Sequence, residues 1–448
     1  MQNQVLNGRS NLLIIFLITV LSAINCFTAS AIGIQKTENN VASTVQNQPG
    51  NGSLLDANIK YVGRWDKSSP NVYHSYWTGA YIRVNFTGKS IGIRLASGSG
   101  LVVSIDGENP RAVNAGQGNT QLNISALSEG THTLLVGSLG QNYEVLFLGL
   151  VLESGAVTYK PDSKTLIEFI GDSITAFTGP EATPDVNWAW NTAEILGCDH
   201  TQIAFSGIAL TSGYGCLDKK IGMDSLYFNF KNYNHLSESP QLAWTFDYTP
   251  DVVFIELGTN DKCGSPTDAV FMRSATTFLN RLRAKYSNAE IVVMRPFNGS
   301  YEGPLSTVVR KMNEAGDPKV YFIDTTDWLT TSDFSDGTHP NLAGGQKIVD
   351  GLVPILRPIV QNISILPIVK SDQISVIPNP FNDELKVESA QGIIKSATIR
   401  NISGKKMALF SINKNESTLK LNNLATGHYL LTLTMDNGEE TTQIIVKQ

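Results

Sequence analysis

The feature that most constrains this chain is a short apolar run that stops on Gly-Asp-Ser. Residues 166–170 read Leu-Ile-Glu-Phe-Ile and are β-prone and nearly all hydrophobic. That pattern suits a strand covered on both faces in a parallel sheet, not a strand with one wet face. Gly171, Asp172 and Ser173 follow at once, and the glycine permits a tight turn. Open parallel sheets place their sites just beyond the carboxyl ends of the strands. Ser173 therefore stands where chemistry is expected. A serine hydroxyl becomes a useful nucleophile only when a base takes its proton. The rest of the chain must supply that base, a group to orient it, and donors for an oxyanion.

Three later stretches fit those needs. Residues 251–257, Asp-Val-Val-Phe-Ile-Glu-Leu, read as another buried strand and run into Gly258-Thr259-Asn260-Asp261. Ile203-Ala204-Phe205 runs into Ser206-Gly207, and Asp336-Gly337-Thr338-His339-Pro340-Asn341 lies further on. Gly207 allows a close backbone approach, and Asn260 offers an amide NH₂ that does not titrate. Histidine is the simplest base near neutral pH. Of six histidines, His200, His235 and His339 fall in this α/β region. Only His339 has an aspartate three residues before it on a loop leading into a helix. Gly-Asp-Ser or Gly-Thr-Asn-Asp alone is an ordinary turn; all four blocks in this order are not.

Together the four blocks resemble the SGNH, or GDSL, hydrolase superfamily. The resemblance implies Ser173 as nucleophile, His339 as base and Asp336 as its orienting acid. It implies an oxyanion hole made by the backbone N–H groups of Ser173 and Gly207 and the side-chain amide of Asn260. Residues 176–180 depart from the Gly-Tyr-Gly that often follows Gly-Asp-Ser-Ile-Thr in that superfamily.

The chain has 448 residues, 42% of them hydrophobic, enough for several domains that each bury a core. A net charge of −6 gives no basic footprint for nucleic acid. Residues 1–31 read as a secretory signal. Arg9 is the basic element, residues 12–21 the apolar core, and Ala29-Ser30-Ala31 the small-residue cleavage site. That core is short for a bilayer span, so no stable membrane insertion is expected after cleavage. Residues 32–57, rich in Asn, Gln, Thr and Ser, read as a linker.

Residues 58–160 hold short alternating runs, at 81–86, 91–95, 101–105, 131–136 and 143–152, separated by Gly and Asn/Asp turns such as Asp106-Gly107. Residues 161–362 alternate apolar strands with helical segments. Their best helix covers 266–286, with Ser265 as N-cap and Pro266 in the first turn. A closing helix covers 342–352, with Pro354 ending it. The expected architecture is multidomain: an N-terminal β-sandwich (jelly roll), a central α/β doubly wound hydrolase domain, and a small C-terminal β-sandwich over 363–448.

Tyr61-Val62-Gly63-Arg64-Trp65, followed by a sandwich and then Gly-Asp-Ser, resembles carbohydrate esterase family two. Members of that family are two-domain acetylesterases of acetylated plant polysaccharides. The last segment opens on Ile377-Pro378-Asn379-Pro380-Phe381 and closes with Gly427-His428-Tyr429 and a terminal strand at 443–447. It resembles the C-terminal sorting domain of the bacterial type IX secretion system, which implies that export machinery as a partner.

Trp188 and Trp190 lie in a polar stretch, Trp244 precedes the Gly258 strand, and Tyr214 follows Gly207. All four are expected to contact sugar rings of the substrate. Cys216 and Cys263 follow the Gly207 and Asn260 blocks. In an exported protein they can form a disulfide tying the two loops, which leaves Cys198 free. No Cys/His spacing suits zinc, and no metal or cofactor is expected. The expected function is a secreted serine esterase that removes acetyl groups from xylan or glucomannan. Two alternatives stand beside it, a GDSL lipase or thioesterase and a non-catalytic carbohydrate-binding protein.

Overall fold

The computed structural model describes residues 48–176, 187–364 and 374–447, apart from positions 380, 391, 402–405, 426 and 439. The expected signal, most of the linker, and residues 177–180 of the stretch after Ser173 lie outside the described residues.

Two antiparallel sheets form the N-terminal sandwich. One runs in the order Lys60–Val62, Tyr81–Thr87, Thr131–Ser138, Ser99–Ile105, Arg111–Ala115, with Thr158–Tyr159 also pairing onto Tyr81–Thr87. The other runs Trp65–Asp66, Tyr73–Ser75, Val145–Leu152, Ile91–Leu95, Gly118–Gln121. Val84, Phe86, Ile93, Val103, Leu134 and Phe147 from both sheets share one buried cluster. The alternation read from the sequence thus becomes an inner apolar face. The sandwich begins earlier than the expected boundary at 58. The Gly50 and Thr158 backbones bond to each other at 2.9 and 3.0 Å, and the Asp56 carboxylate accepts from Gly52 N and Asn58 N at 2.6 and 2.9 Å. Local side-chain-to-backbone bonds fold a segment whose polar composition suggested a linker.

The central domain is a five-stranded sheet in the order Asp199–Ala204, Leu166–Gly171, Val252–Glu256, Glu290–Met294, Val320–Ile323. All its pairings are parallel. Numbered within the domain the order is 2-1-3-4-5, a doubly wound arrangement whose switch point lies between the first and third strands. Ile167, Phe169, Val252 and Phe254 bury against one layer, Ile170, Val253 and Ile255 against the other. That is why these strands read as unbroken apolar runs.

Two helix boundaries differ from expectation. The long helix is Asp268–Lys285, and its cap is Thr267, whose side chain accepts from Val270 N. Ser265 instead takes φ +51° and belongs to the preceding loop. The expected apolar face, Phe271, Ala275, Phe278 and Leu282, is buried. The closing helix runs Leu342–Ser364, straight through Pro354 and Pro358. Each interior proline costs about 3 kcal/mol. Ile355, Leu356, Ile359 and Val360 are all buried beyond the expected stop, each gaining roughly 1.5–3 kcal/mol. Burial outweighs the breaker.

Sandwich and hydrolase domain share a seam. Tyr76 and Trp77 of the sandwich join the hydrolase core, and Trp77 Nε1 donates to Phe230 O at 2.8 Å. Asp199, at the start of the second strand of the central sheet, accepts from Lys60 Nζ at 2.6 Å, Arg83 Nη2 at 3.1 Å and Tyr81 OH at 3.2 Å. Arg64 is buried, donates from Nη1 to Tyr227 O and Asn229 O at 2.7 and 2.6 Å, and lies 3.8 Å from the Trp244 ring centre. Gly63, at φ +82°, leaves no room for a Cβ, which would stand 2.6 Å from Thr201 Oγ1; the glycine in Tyr61-Val-Gly-Arg-Trp65 is a docking requirement.

The named strands of the C-terminal segment all pair antiparallel, and one isolated bridge, Phe381 to Lys447, is parallel. Ile374–Ile377, Glu384–Ser389 and Glu416–Lys420 form one sheet; Lys406–Lys414, Ile394–Asn401, Gly427–Met435 and Glu440–Lys447 form the other. Phe381, of the opening motif, is buried with Leu385, Ile399, Leu419, Leu431 and Ile445. Among the described residues no helix is long and apolar enough to cross a membrane.

Candidate active site

Ser173 sits one turn past the strand Leu166–Gly171 and is 8% exposed. The Asp172 carboxylate beside it is fully buried. Its Oδ1 accepts from Ile174 N at 2.9 Å, which closes the turn, and its Oδ2 accepts from Asn260 Nδ2 at 2.9 Å. The first and third strands of the sheet are thereby joined at their carboxyl ends, across the switch point.

Gly207 lies in the loop after the second strand at φ +74°, a left-handed conformation that favours glycine. Two braces hold this loop to the Asn260 loop. The buried Asp261 carboxylate accepts from Leu210 N and Thr211 N at 2.8 and 3.0 Å. Burial raises Asp261 to about 6 against the lowering effect of those bonds. Cys216 and Cys263 form a disulfide, with Cα atoms 5.2 Å apart, and Cys198 is free and buried. The sandwich also reaches this edge, since Gln141 Oε1 accepts from Ser206 N at 2.7 Å.

His339 and Asp336 come from the loop before the closing helix. Asp336 Oδ2 meets His339 Nδ1 at 2.7 Å, while its Oδ1 accepts from His339 N at 2.8 Å and Thr338 N at 3.0 Å. Burial would raise the Asp336 carboxyl, but the His339 backbone and ring and the Thr338 N–H hold it down to about 2. An ionised carboxylate on Nδ1 fixes the tautomer with Nδ1 protonated and Nε2 as the free lone pair. Nε2 is buried and has no hydrogen-bond partner. His339 is close enough to act electrostatically on Asp172, the residue before Ser173. A histidine with an unspent ring lone pair and amide donors on two braced loops are the parts that acyl transfer needs.

The tryptophans expected to line a substrate groove are packing residues. Trp188, Trp190 and Trp244 are 2–3% exposed. Trp188 packs on Phe169 and Phe254 and donates from Nε1 to Ile174 O at 2.9 Å. Trp190 lies against Tyr81 and His200 at the seam, and Trp244 against Tyr227 and Arg64. Their large apolar area outweighs the polar neighbours that suggested exposure. Tyr214 is half-exposed beside Gly264, whose N–H donates to its carbonyl at 3.1 Å. Among the described residues no group of three acidic, His or Cys side chains could hold a metal.

Sequence reasoning passed over Glu256 and Gln141. An acid inside Val-Val-Phe-Ile-Glu gives no signal of its own, and a glutamine in a sandwich loop has no motif. The register Gly171↔Glu256 was a retrievable hint, because it follows once the Gly-Asp-Ser and Gly-Thr-Asn-Asp strands are taken as neighbours.

Comparison with known proteins matches three successive stretches of the chain. Residues 169–347 match the GDSL-like lipase/acylhydrolase family, residues 61–161 the carbohydrate esterase 2 N-terminal domain, and residues 375–447 the secretion system C-terminal sorting domain. The sorting domain makes the protein secreted or cell-surface. The cellulase/esterase CelE of Acetivibrio thermocellus is 31% identical over 336 residues, 67% of this chain and 39% of the relative. The chain thus spans about two-fifths of that relative's length. A family two carbohydrate esterase from Clostridium thermocellum, solved in complex with cellohexaose, is 29% identical with a TM-score of 0.59, covering 68% of this chain and 99% of that one. A family two carbohydrate esterase from Cellvibrio japonicus, 18% identical with a TM-score of 0.58 over 69% and 98% of the chains, shares the fold.

Proposed function

The chain is homologous to the family two carbohydrate esterases, and from that premise we propose that it is an exported serine esterase that deacetylates a plant-type polysaccharide, xylan or glucomannan. The observation that carries this reading is His339, with Nδ1 tied to Asp336 and Nε2 buried without a partner. In this mechanism Ser173 Oγ attacks the acetyl carbonyl carbon while His339 Nε2 takes its proton. The carbonyl oxygen becomes an oxyanion, met by the N–H groups of Ser173 and Gly207 and by Asn260 Nδ2. Collapse breaks the acetyl–oxygen bond, and the sugar hydroxyl leaves with the proton from His339. Water then attacks the acetyl-serine with His339 again as base; acetate and free Ser173 result.

The cellohexaose bound by the Clostridium thermocellum relative supports a sugar polymer as the alcohol side. Tyr214, half-exposed just past Gly207, is the aromatic we assign to sugar contact. The test is acetate release by the exported protein from acetylated xylan and glucomannan, with nitrophenyl esters of rising chain length in parallel. Acetyl should be cleaved faster than butyryl and octanoyl esters. A lipase shows the opposite trend, because each added methylene that fits gains about 0.8 kcal/mol. Ser173→Ala should remove the activity by about 10⁶-fold. Faster cleavage of octanoyl ester promotes the lipase reading, and glycan binding with no acetate released promotes a binding protein.

A further inference from the structure

The two strands that flank the switch point each deliver an acid to the same spot. Gly171 pairs in register with Glu256, so Asp172, one residue on, lies beside the Glu256 side chain. Both side chains are fully buried, and each lies close enough to act electrostatically on the other. Two negative charges buried this close together cannot both persist, so one carboxyl carries a proton.

The surrounding donors decide which. Asp172 accepts from two N–H groups, Ile174 N and Asn260 Nδ2, each at 2.9 Å. Such bonds favour an anion. Glu256 accepts only the Thr175 hydroxyl, on Oε2 at 3.2 Å, and its Oε1 is buried and receives nothing. Burial raises Asp172; the Ile174 N–H and His339 oppose that rise, and Asp261 adds to it. Burial and then Asp172 itself push Glu256 well above the usual carboxylate range.

We propose that Glu256 works as a protonated positioning residue that donates to Asp172 and so keeps the Asn260 amide aimed at the oxyanion. The kinetic part of this rests on the esterase reading above. The physical reason is directional. An ionised Asp172 can only accept, so it draws the NH₂ end of Asn260 toward itself and forbids the flipped amide. One amide N–H is spent on Asp172 and the other is left for the reacting oxygen. A protonated Asp172 would accept or donate, and the amide would lose its fixed sense. A doubly ionised pair would instead set two negative charges behind a developing oxyanion. With its proton on Glu256 the pair holds one negative charge, on the atom that orients Asn260.

The test uses E256Q and E256A in the full protein. Gln keeps a donor toward Asp172 and cannot titrate; Ala removes the donor. E256Q should hold kcat within about threefold of the native value, and its alkaline limb should extend to higher pH. E256A should lower kcat by about 10²-fold, the order of loss for a misplaced catalytic group, with KM little changed. Infrared difference spectra at neutral pH should show a protonated carboxylic acid C=O stretch in the native protein that is missing in E256Q. Equal losses in both variants, an Ala variant as fast as native, an unmoved alkaline limb in E256Q, or no lost acid stretch would each overturn the proposal. The infrared result needs no substrate. Native protein that cleaves no ester would therefore break the esterase reading, while the spectra still decide where the proton sits.

Discussion

Asp172, which holds the proposed oxyanion donor Asn260, and Asp336, which holds the proposed base His339, are built in opposite ways. Asp172 is fully buried, bonded across two strand ends, and raised by burial. Asp336 is exposed, bonded only within its own loop, and held down to about 2. The oxyanion side is cross-braced by Asp172, Asp261 and the Cys216–Cys263 disulfide. The base side rests on an i,i+3 contact between Asp336 and His339. Chemistry on the first side should thus be inseparable from folding, and on the second side separable from it.

His339→Ala should cost about 10⁶-fold in kcat and leave unfolding free energy within about 0.5 kcal/mol of native, read by denaturant titration. A large stability loss there would erase the contrast. Asp336→Asn should cost up to about 10⁴-fold, again with little change in unfolding. A fully active Asp336→Asn protein would hand the orienting role to another group. Asn260→Ala should lower kcat by about 10²–10³-fold. It should also destabilise by about 1–3 kcal/mol, because Asp172 is left buried with an empty acceptor. An unchanged melting temperature would show the oxyanion side to be as loosely tied as the base side.

The smallest effect is in pH dependence, and its sign differs between the two sides. Asp261, raised to about 6, holds its proton more tightly folded than unfolded. Its contribution is fully present below about pH 4 and lost as pH rises through 6, on the order of 2–3 kcal/mol. Asp336, lowered to about 2, contributes above pH 4 and loses that contribution as pH falls through 2. Asp261→Asn should flatten the stability curve between pH 4 and 6, and Asp336→Asn should flatten it below 4. Identical curves for the two variants would remove the distinction.

The sequence announced Ser173, Gly207, Asn260, Asp336 and His339 because each follows a local pattern, a β-prone run ending in a turn or an Asp three residues before a His. The parallel sheet was equally open, since strands buried on both faces cannot hide their apolarity. What depends on distant partners was closed to it. Trp188 and Trp190 sit among polar neighbours in the chain but among rings in space. Pro354 reads as a stop until the core beyond it is counted. Glu256 gains meaning only when its strand lies beside Asp172.

The seam has a consequence for inheritance. A recombination event that exchanged the sandwich alone would take Tyr76 and Trp77 out of the hydrolase core and strip Ser206 N of its Gln141 partner. Asp199 would lose its three donors, and a buried charge deprived of its partner costs about 3–5 kcal/mol. Such a chimera begins life with much of its folding margin gone. Sandwich and hydrolase domain should therefore be inherited as one cassette, and a shuffled library that cuts between Tyr159 and Leu166 should be poor in survivors.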